Sequence, residues 1–310
     1  MKDQYLRKID YARISITDYC NLSCHYCKSD KVKVVNQLCI EQLKTVIDAL
    51  DKLKFKKLKL TGGEPLLNPD IANIITYANS KDNIKDVGLT TNGVLLDHYL
   101  DELVSAGLNR INISLDSLNK DKFYKITKSN NLEQVLANII SARGKDLIVK
   151  INVVLMKGIN DDEINDFLEF GRINDVQFRF IELMPIGLNV DYIKNKQLST
   201  TELFKNYQKK EKKPNCKDVS DYYIDQFGYV FGIISPLSNH FCKACNRIRF
   251  TSDAKLRLCL HSDKEIDLRP YLNDHDKLIE ILVKSINKKP DKHRLNDNKI
   301  SQRAMSKIGG

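Results

Sequence analysis

The chain has no tryptophan, and its seven prolines and 13 glycines are scattered. That spread excludes collagen-like, mucin-like and low-complexity architectures, and no internal period points to a solenoid. No apolar run approaches the roughly 20 residues that cross a bilayer. Met1 to Asp10 alternates charged and apolar residues and lacks the apolar stretch of a secretory signal. The sequence reads as cytoplasmic. The lysine-dense runs Lys52–Lys59 and Lys209–Lys213 hold one aromatic between them, Phe55, too few for a single-strand binding groove. Solvated faces are expected there, with neither nucleic acid nor membrane as a partner.

What is present suits a globular chain. Its 310 residues are 42% hydrophobic and 29% charged, enough for one large domain or two medium ones. The net charge of +10 fits either a polyanionic ligand or a lysine-rich solvated surface, so charge alone does not name a ligand. Six of the eight cysteines fall into two triplets, Cys20, Cys24 and Cys27, then Cys242, Cys245 and Cys259, while Cys39 and Cys216 stand apart. In a reducing compartment such triplets hold metal more often than they form disulfides. Zinc wants four ligands, which His25, His240 or His261 could complete. Three thiolates equally suit a four-iron cluster with one iron left open.

Six β-type runs alternate with helical patterns: Ala12–Thr17, Lys57–Thr61, Asp86–Thr90, Arg110–Leu115, Leu147–Leu155 and Val176–Leu183. Helices are expected at about 41–54, 69–80, 97–106, 119–143 and 161–172, the last with a capping-box-like start at Asn160. Gly107 sits where a left-handed helix cap belongs. The alternation predicts an α/β fold, an incomplete (β/α)6 TIM-type barrel with its chemistry at the C-terminal strand ends. Later segments read as a helix at 200–211, a β-rich stretch Tyr222–Ser235 and an amphipathic helix at 276–288. A soft boundary near 220 would divide a barrel, residues 1–220, from a C-terminal β-containing extension, residues 221–310.

Cys20, Cys24 and Cys27 have the spacing C-x3-C-x2-C just after the first strand. With that position the motif resembles the radical S-adenosylmethionine (SAM) superfamily; a zinc knuckle is the alternative. The resemblance implies that the free iron binds the methionine part of SAM and that Tyr26 packs near its adenine. Gly62-Gly63-Glu64-Pro65, by itself a turn, would hold the methionine amino group at Gly63. Thr90-Thr91-Asn92-Gly93, Ser114-Leu115-Asp116 and Met184 close later strands. Recurring polar groups at strand ends argue for a pocket, and by resemblance Ser114 would contact the ribose and Met184 the adenine.

The second triplet reads C-x2-C-x13-C, and alone it could be a zinc ribbon. Arg247 and Arg249 follow it at i and i+2, so an extended segment turns both guanidinium forks to one side, toward a phosphate or purine edge or simply toward solvent. The whole stretch C-x2-C-N-R-x-R, with the terminal Gly309-Gly310, resembles the molybdenum cofactor biosynthesis protein A family, GTP 3′,8-cyclase. A terminal Gly-Gly by itself could be disorder or a conjugation tail. The likeness spans essentially the whole chain. It implies two [4Fe-4S] clusters on the two triplets, SAM as cofactor and GTP as substrate. Arg13, Lys59, Thr90, Lys150, Arg247, Ile248 and Arg249 would contact GTP, Arg247 and Arg249 would serve catalysis, and the tail would enter the active site. Lys59 stands where the family frequently has arginine, which removes bidentate geometry.

The implied chemistry is reductive cleavage of SAM to a 5′-deoxyadenosyl radical, removal of hydrogen from C3′ of GTP and attack on guanine C8. That gives 3′,8-cyclo-GTP, the first step of molybdenum cofactor biosynthesis. An external reductant and a hand-off to cyclic pyranopterin monophosphate synthase follow from the resemblance, and a homodimer is left open. Two other readings compete: a peptide-modifying radical SAM enzyme, which usually carries more C-terminal cysteines, and a zinc protein that binds nucleic acid. The loop from Lys28 to Gln37 is assigned no role.

Overall fold

The computed structural model describes residues 1–27, 37–145, 147–186, 190–212, 218–293 and 303–309. Lys28–Asn36 of the unassigned loop, Cys216 and Gly310 lie outside these. The first half runs β1 (Tyr11–Ser15), α1 (Ile40–Lys52), β2 (Lys57–Thr61), α2 (Ile71–Asn79), β3 (Asp86–Thr91), α3 (Leu96–Ser105) and β4 (Arg110–Ser114). It continues with α4 (Lys120–Thr127), α5 (Leu132–Arg143), β5 (Ile148–Leu155), α6 (Ile164–Ile173) and β6 (Gln177–Glu182). Then come α7 (Val190–Asn195), α8 (Thr200–Leu203), β7 (Gln208–Lys210), β8 (Asp221–Ile224), β9 (Val230–Ile234), β10 (Arg247–Phe250), β11 (Lys255–Arg257), β12 (Ile266–Asp267) and α9 (His275–Asn287).

All six expected strands form and pair in parallel in sequence order, β1 to β6, as right-handed β–α crossovers demand. The sheet does not stop there. Its full order is β12-β11-β10-β1-β2-β3-β4-β5-β6-β9-β8-β7. The C-terminal segment therefore contributes to both flanks: β10 runs parallel to β1, and β9 parallel to β6. The end strands β12 and β7 do not pair with each other, so the barrel is open.

Alternation along each strand separates two environments. In β5, Val149, Ile151, Val153 and Leu155 are buried in the helix-covered core, while Lys150, Asn152 and Val154 are half-buried on the opposite, concave face. β6 repeats this, with Phe178 and Phe180 in the core and Arg179 on the other side. Phe180 packs on Phe167, Phe178, Phe204 and Phe231, with ring centroids 5.3 to 6.4 Å apart.

Local expectations fail at three places. The single helix expected at 119–143 is two helices, because Lys128 takes a left-handed conformation (φ 61°) and Ser129 and Asn131 bond each other. Asn160 does not cap α6. Its side chain bonds the backbone of Met156, Asp116 and Val154 instead, and the helix starts at Ile164. The helix expected at 200–211 ends after Leu203: Phe204 packs tilted and Tyr207 edge-on against Phe231, and β7 pairs antiparallel with β8. Gly107 does take the left-handed cap, at φ 86°.

Because Phe180 ties β6 to α6 and β9, Phe180→Ala should destabilise the chain by about 3–5 kcal/mol. Urea denaturation followed by circular dichroism measures this. A change below about 1 kcal/mol would mean that the cluster does not hold the flank together.

Candidate active site

The loop after β1 carries Cys20, Cys24 and Cys27 and is pinned from three sides. Gly62 and Gly63 lie so close to it that a Cβ on either would fall on the carbonyl oxygens of Thr17 or Tyr19, and Gly63 N–H donates to Thr17 at 2.7 Å. The glycines are thus required first by a backbone, not by a ligand. Glu64 N–H donates to the Tyr19 carbonyl at 2.7 Å, and its buried carboxylate accepts from Thr91 Oγ1 at 2.6 Å, Asn92 N–H at 2.7 Å and Leu66 N–H at 3.1 Å. Asn92 Nδ2 in turn donates to Asn21 at 2.7 Å. On the far side, Ser23 and His25 N–H donate to the end of α4 at Thr127 and Ile126.

Tyr26 packs against the small cluster of Ile126, Met156, Leu183 and Ile193, and its hydroxyl donates to Asp116 at 2.6 Å. Asp116 also accepts from Val154 N–H at 2.8 Å. Burial pushes its carboxyl up to about 6. Ser114 ends β4 opposite Asn152, and Met184 lies just past β6, its carbonyl accepting from Ile186.

The concave face is cationic. Strand register sets Arg249 beside Arg13, Arg13 beside Lys59, Thr90 beside Asn112, Asn112 beside Lys150, and Asn152 beside Arg179. Burial holds Arg13, Lys59, Lys150, Arg179 and Arg249 below their ordinary values, and mutual repulsion adds to it: Arg179 and Arg13 act on Lys59, Arg13 and Arg247 on Arg249. The carboxylates acting on them are Asp218, 4.0 Å from Lys150 and bonded to Tyr222 at 2.6 Å, and Asp86, which pairs with Arg110 and acts on Lys59. Thr90 Oγ1, Asn152 Oδ1 and the Nε atoms of Arg179 and Arg247 are buried without a hydrogen-bond partner. Cations outnumber carboxylates on this face, and polar atoms left over among them suit a seat for a polyanion. Ile248, between the two arginines, sends its side chain into the core, and in β10 it lies opposite Ala12 of β1.

Sequence reading missed Arg179, Asn112, Asn152 and Tyr222. The alternation Q-F-R-F-I-E in β6 carried the signal for Arg179, since an arginine out of phase with two core phenylalanines must face the lumen.

Cys242, Cys245 and Cys259 gather beside β10, and all seven described cysteines are free. Between the triplets runs the tail. Ile308 is fully buried, Gly309 takes φ 69° against Thr61 and Ser15, and its carbonyl accepts from Arg249. The Ser306 N–H bonds the Cys27 sulfur, while Arg249 lies in the field of Cys245 and Cys259. The two triplets thus border one chamber.

Each donor set fits an iron–sulfur cluster with one open iron: three neighbouring free thiols apiece. Among the described residues no three His, Cys, Asp or Glu side chains converge as a single metal ion requires.

Comparison with known proteins agrees with this geometry. The Radical SAM superfamily model matches residues 14–171 and the Molybdenum Cofactor Synthesis C model residues 176–295. The chain is 43% identical to GTP 3′,8-cyclase of Alkaliphilus oremlandii over 100% of both chains. It is 38% identical to that of Listeria monocytogenes, covering 100% of this chain and 99% of the relative. It belongs to the GTP 3′,8-cyclase family. It is therefore a radical SAM enzyme of molybdenum cofactor biosynthesis, with [4Fe-4S] clusters and SAM as cofactors. Streptococcus suis SuiB bound to S-adenosylmethionine shares the fold, with a TM-score of 0.67 at 14% identity over 89% of this chain and 66% of that one. No helix among the described residues is long and apolar enough to cross a membrane.

Burial pushes the Glu64 carboxyl up to about 7. The folded chain therefore keeps this proton longer than the unfolded chain, and stability falls as pH rises from the ordinary carboxyl range to about 7. Glu64→Gln should shrink that fall, read from urea midpoints of cluster-free protein across this window. An unchanged pH slope would remove Glu64 as its source.

Proposed function

We propose that the chain converts GTP to 3′,8-cyclo-GTP, and that the buried cationic lumen between the two cysteine triplets is where GTP lies. The observation that carries this reading is the group Arg13, Lys59, Lys150, Arg179, Arg247 and Arg249, gathered on one concave face with Asp218 and Asp86 as the carboxylates that act on it. A triphosphate carries the missing negative charge, and guanidinium forks suit its oxygens.

On this reading Cys20, Cys24 and Cys27 hold the first cluster and Cys242, Cys245 and Cys259 the second. The first cluster and SAM, when bound, supply one-electron cleavage and the power to abstract a hydrogen atom. Tyr26, Gly63, Ser114 and Met184, on the strand ends around the first triplet, hold and orient SAM. Arg13, Lys59, Thr90, Lys150, Arg179, Arg247, the main chain of Ile248 and Arg249 fix the nucleotide. Arg247 and Arg249 lie nearest the second triplet and orient the base. Ile308 and Gly309 plug the lumen and exclude water from a reaction that water would quench. The working division is a core of residues 1–220 and an auxiliary region of residues 221–310, meeting along β1–β10 and β6–β9. Free cysteine triplets suit a cytoplasmic setting. The single-electron step needs a reductant from outside the chain, and the product is one that cyclic pyranopterin monophosphate synthase would consume.

The test is an anaerobic reaction of reconstituted protein with GTP, SAM and a strong reductant, with products identified by mass spectrometry. The expected product is 3′,8-cyclo-GTP. Cys20→Ala should abolish SAM cleavage, whereas Cys245→Ala should keep the first cluster and lose cyclisation. SAM cleavage without any GTP-derived product in the wild type would overturn the assignment. Arg179→Ala should weaken GTP binding about 10- to 100-fold, the value of one charge-assisted contact. Calorimetry that found unaltered affinity would take Arg179 out of the substrate site.

A further inference from the structure

Two buried cations grip the backbone that carries the second triplet. Lys289 follows α9 and is 2% exposed. Its ammonium donates to the carbonyl of Arg247 at 2.9 Å and to that of Leu258. Arg247 lies two residues past Cys245, and Leu258 immediately precedes Cys259. Arg7 donates to the carbonyl of Cys242 itself at 3.0 Å. Every cysteine-bearing segment of the triplet is therefore fastened to one of these two side chains.

The two cations are not alike. Arg7 has its own counter-charge, Asp3 at 2.6 Å, and spends further donors on the carbonyls of Pro290 at 2.6 Å and Asp291 at 2.9 Å. It thereby locks the segment that presents Lys289. Lys289 forms no ion pair with a carboxylate among the described residues. An ammonium buried on carbonyl dipoles alone is costly unless an anion lies close by.

The anion at hand is the thiolate set. Cys245 and Cys259 lie within two residues of the carbonyls that hold the Lys289 ammonium. The first triplet differs. The charged side chains tied to its loop are carboxylates: Asp116 accepts from Tyr26, and Glu64 accepts from the N–H of Asn92, whose side chain bonds Asn21.

We propose that Lys289 is a positioning residue and the resident counter-ion of the second cluster, holding the Cys245 and Cys259 segments together and keeping that cluster easier to reduce than the first. The inference rests on Cys242, Cys245 and Cys259 being cluster ligands. A fixed positive charge favours the more negative, reduced cluster and so raises its potential. The contrast lets one chamber hold two clusters with different work. The first triplet, with carboxylates about it, would suit the more strongly reducing cluster, and the second, beside Lys289, one that keeps its electron.

The test uses full-length, anaerobically reconstituted protein: wild type, Lys289→Met, Lys289→Arg and Cys245→Ala. Iron content and potentiometric titration followed by electron paramagnetic resonance are the readouts. Lys289→Met should either lose the second cluster alone or shift it to lower potential, with the first cluster unmoved. Lys289→Arg, which keeps the charge, should hold both clusters near the wild-type potentials. Wild-type loading and potentials in Lys289→Met would overturn the proposal. So would equal damage to both clusters, or the same loss in Lys289→Arg, since these point to packing rather than charge. Retention of both clusters by Cys245→Ala would overturn the ligand assignment itself, a separate failure.

Discussion

Arg13, Lys59 and Arg249 come side by side through strand register, and Arg179 faces them across the same concave surface. Repulsion among these buried cations is the constraint on which the rest of the structure depends. Unit charges 4 Å apart repel by about 4 kcal/mol even at an effective dielectric of about 20. A fold can keep several such groups dry only if the surrounding core is strong. The helix-covered side of the same strands supplies that core, from Ile14, Leu58 and Leu60 through Phe178 and Phe180. The two faces of each strand thus do opposite work: one stabilises, the other stores an electrostatic deficit that an anionic ligand relieves.

The same economy explains how a loop of three cysteines is kept in place. Gly62 and Gly63 bring the end of β2 against the loop, and Glu64 then reaches across to Thr91 and Asn92 at the end of β3. Three successive strand ends are tied to one loop by main-chain bonds and one buried carboxylate. A Cβ at Gly63 would displace the loop bearing Cys20, so a small backbone feature governs where that cysteine sits relative to the lumen.

Much of this was legible in the sequence, because period-2 and period-3.6 patterns dominate the first 186 residues. Each expected strand appears within a residue or two of its place, and the cysteine spacing marked the first loop. What the pattern could not carry was pairing between distant segments. Nothing local says that β10 lies against β1 while β9 lies against β6, so one continuous sheet read as a barrel with an appended extension. The helix expected to reach position 211 failed for the same reason, since Tyr207 finds its partner on β9. Arg179 was readable but passed over, because a lone arginine in a hydrophobic strand gains meaning only when its register neighbours are known.

The tail shows how these pieces become one device. Gly309 reaches Thr61 and Ser15 because a residue with a side chain would collide there, and at φ 69° only a glycine is comfortable. Its carbonyl takes the guanidinium of Arg249, and Ser306 takes the Cys27 sulfur. The segment therefore touches the first triplet directly and reaches toward the second through Arg249. A chamber that holds radical chemistry must be closed to solvent and must keep its two metal centres at a fixed separation. In most folds separate elements would serve those needs. On the proposed reading Ser306 to Gly309 serve both, because β10 places the second triplet beside β1, the strand that leads into the first.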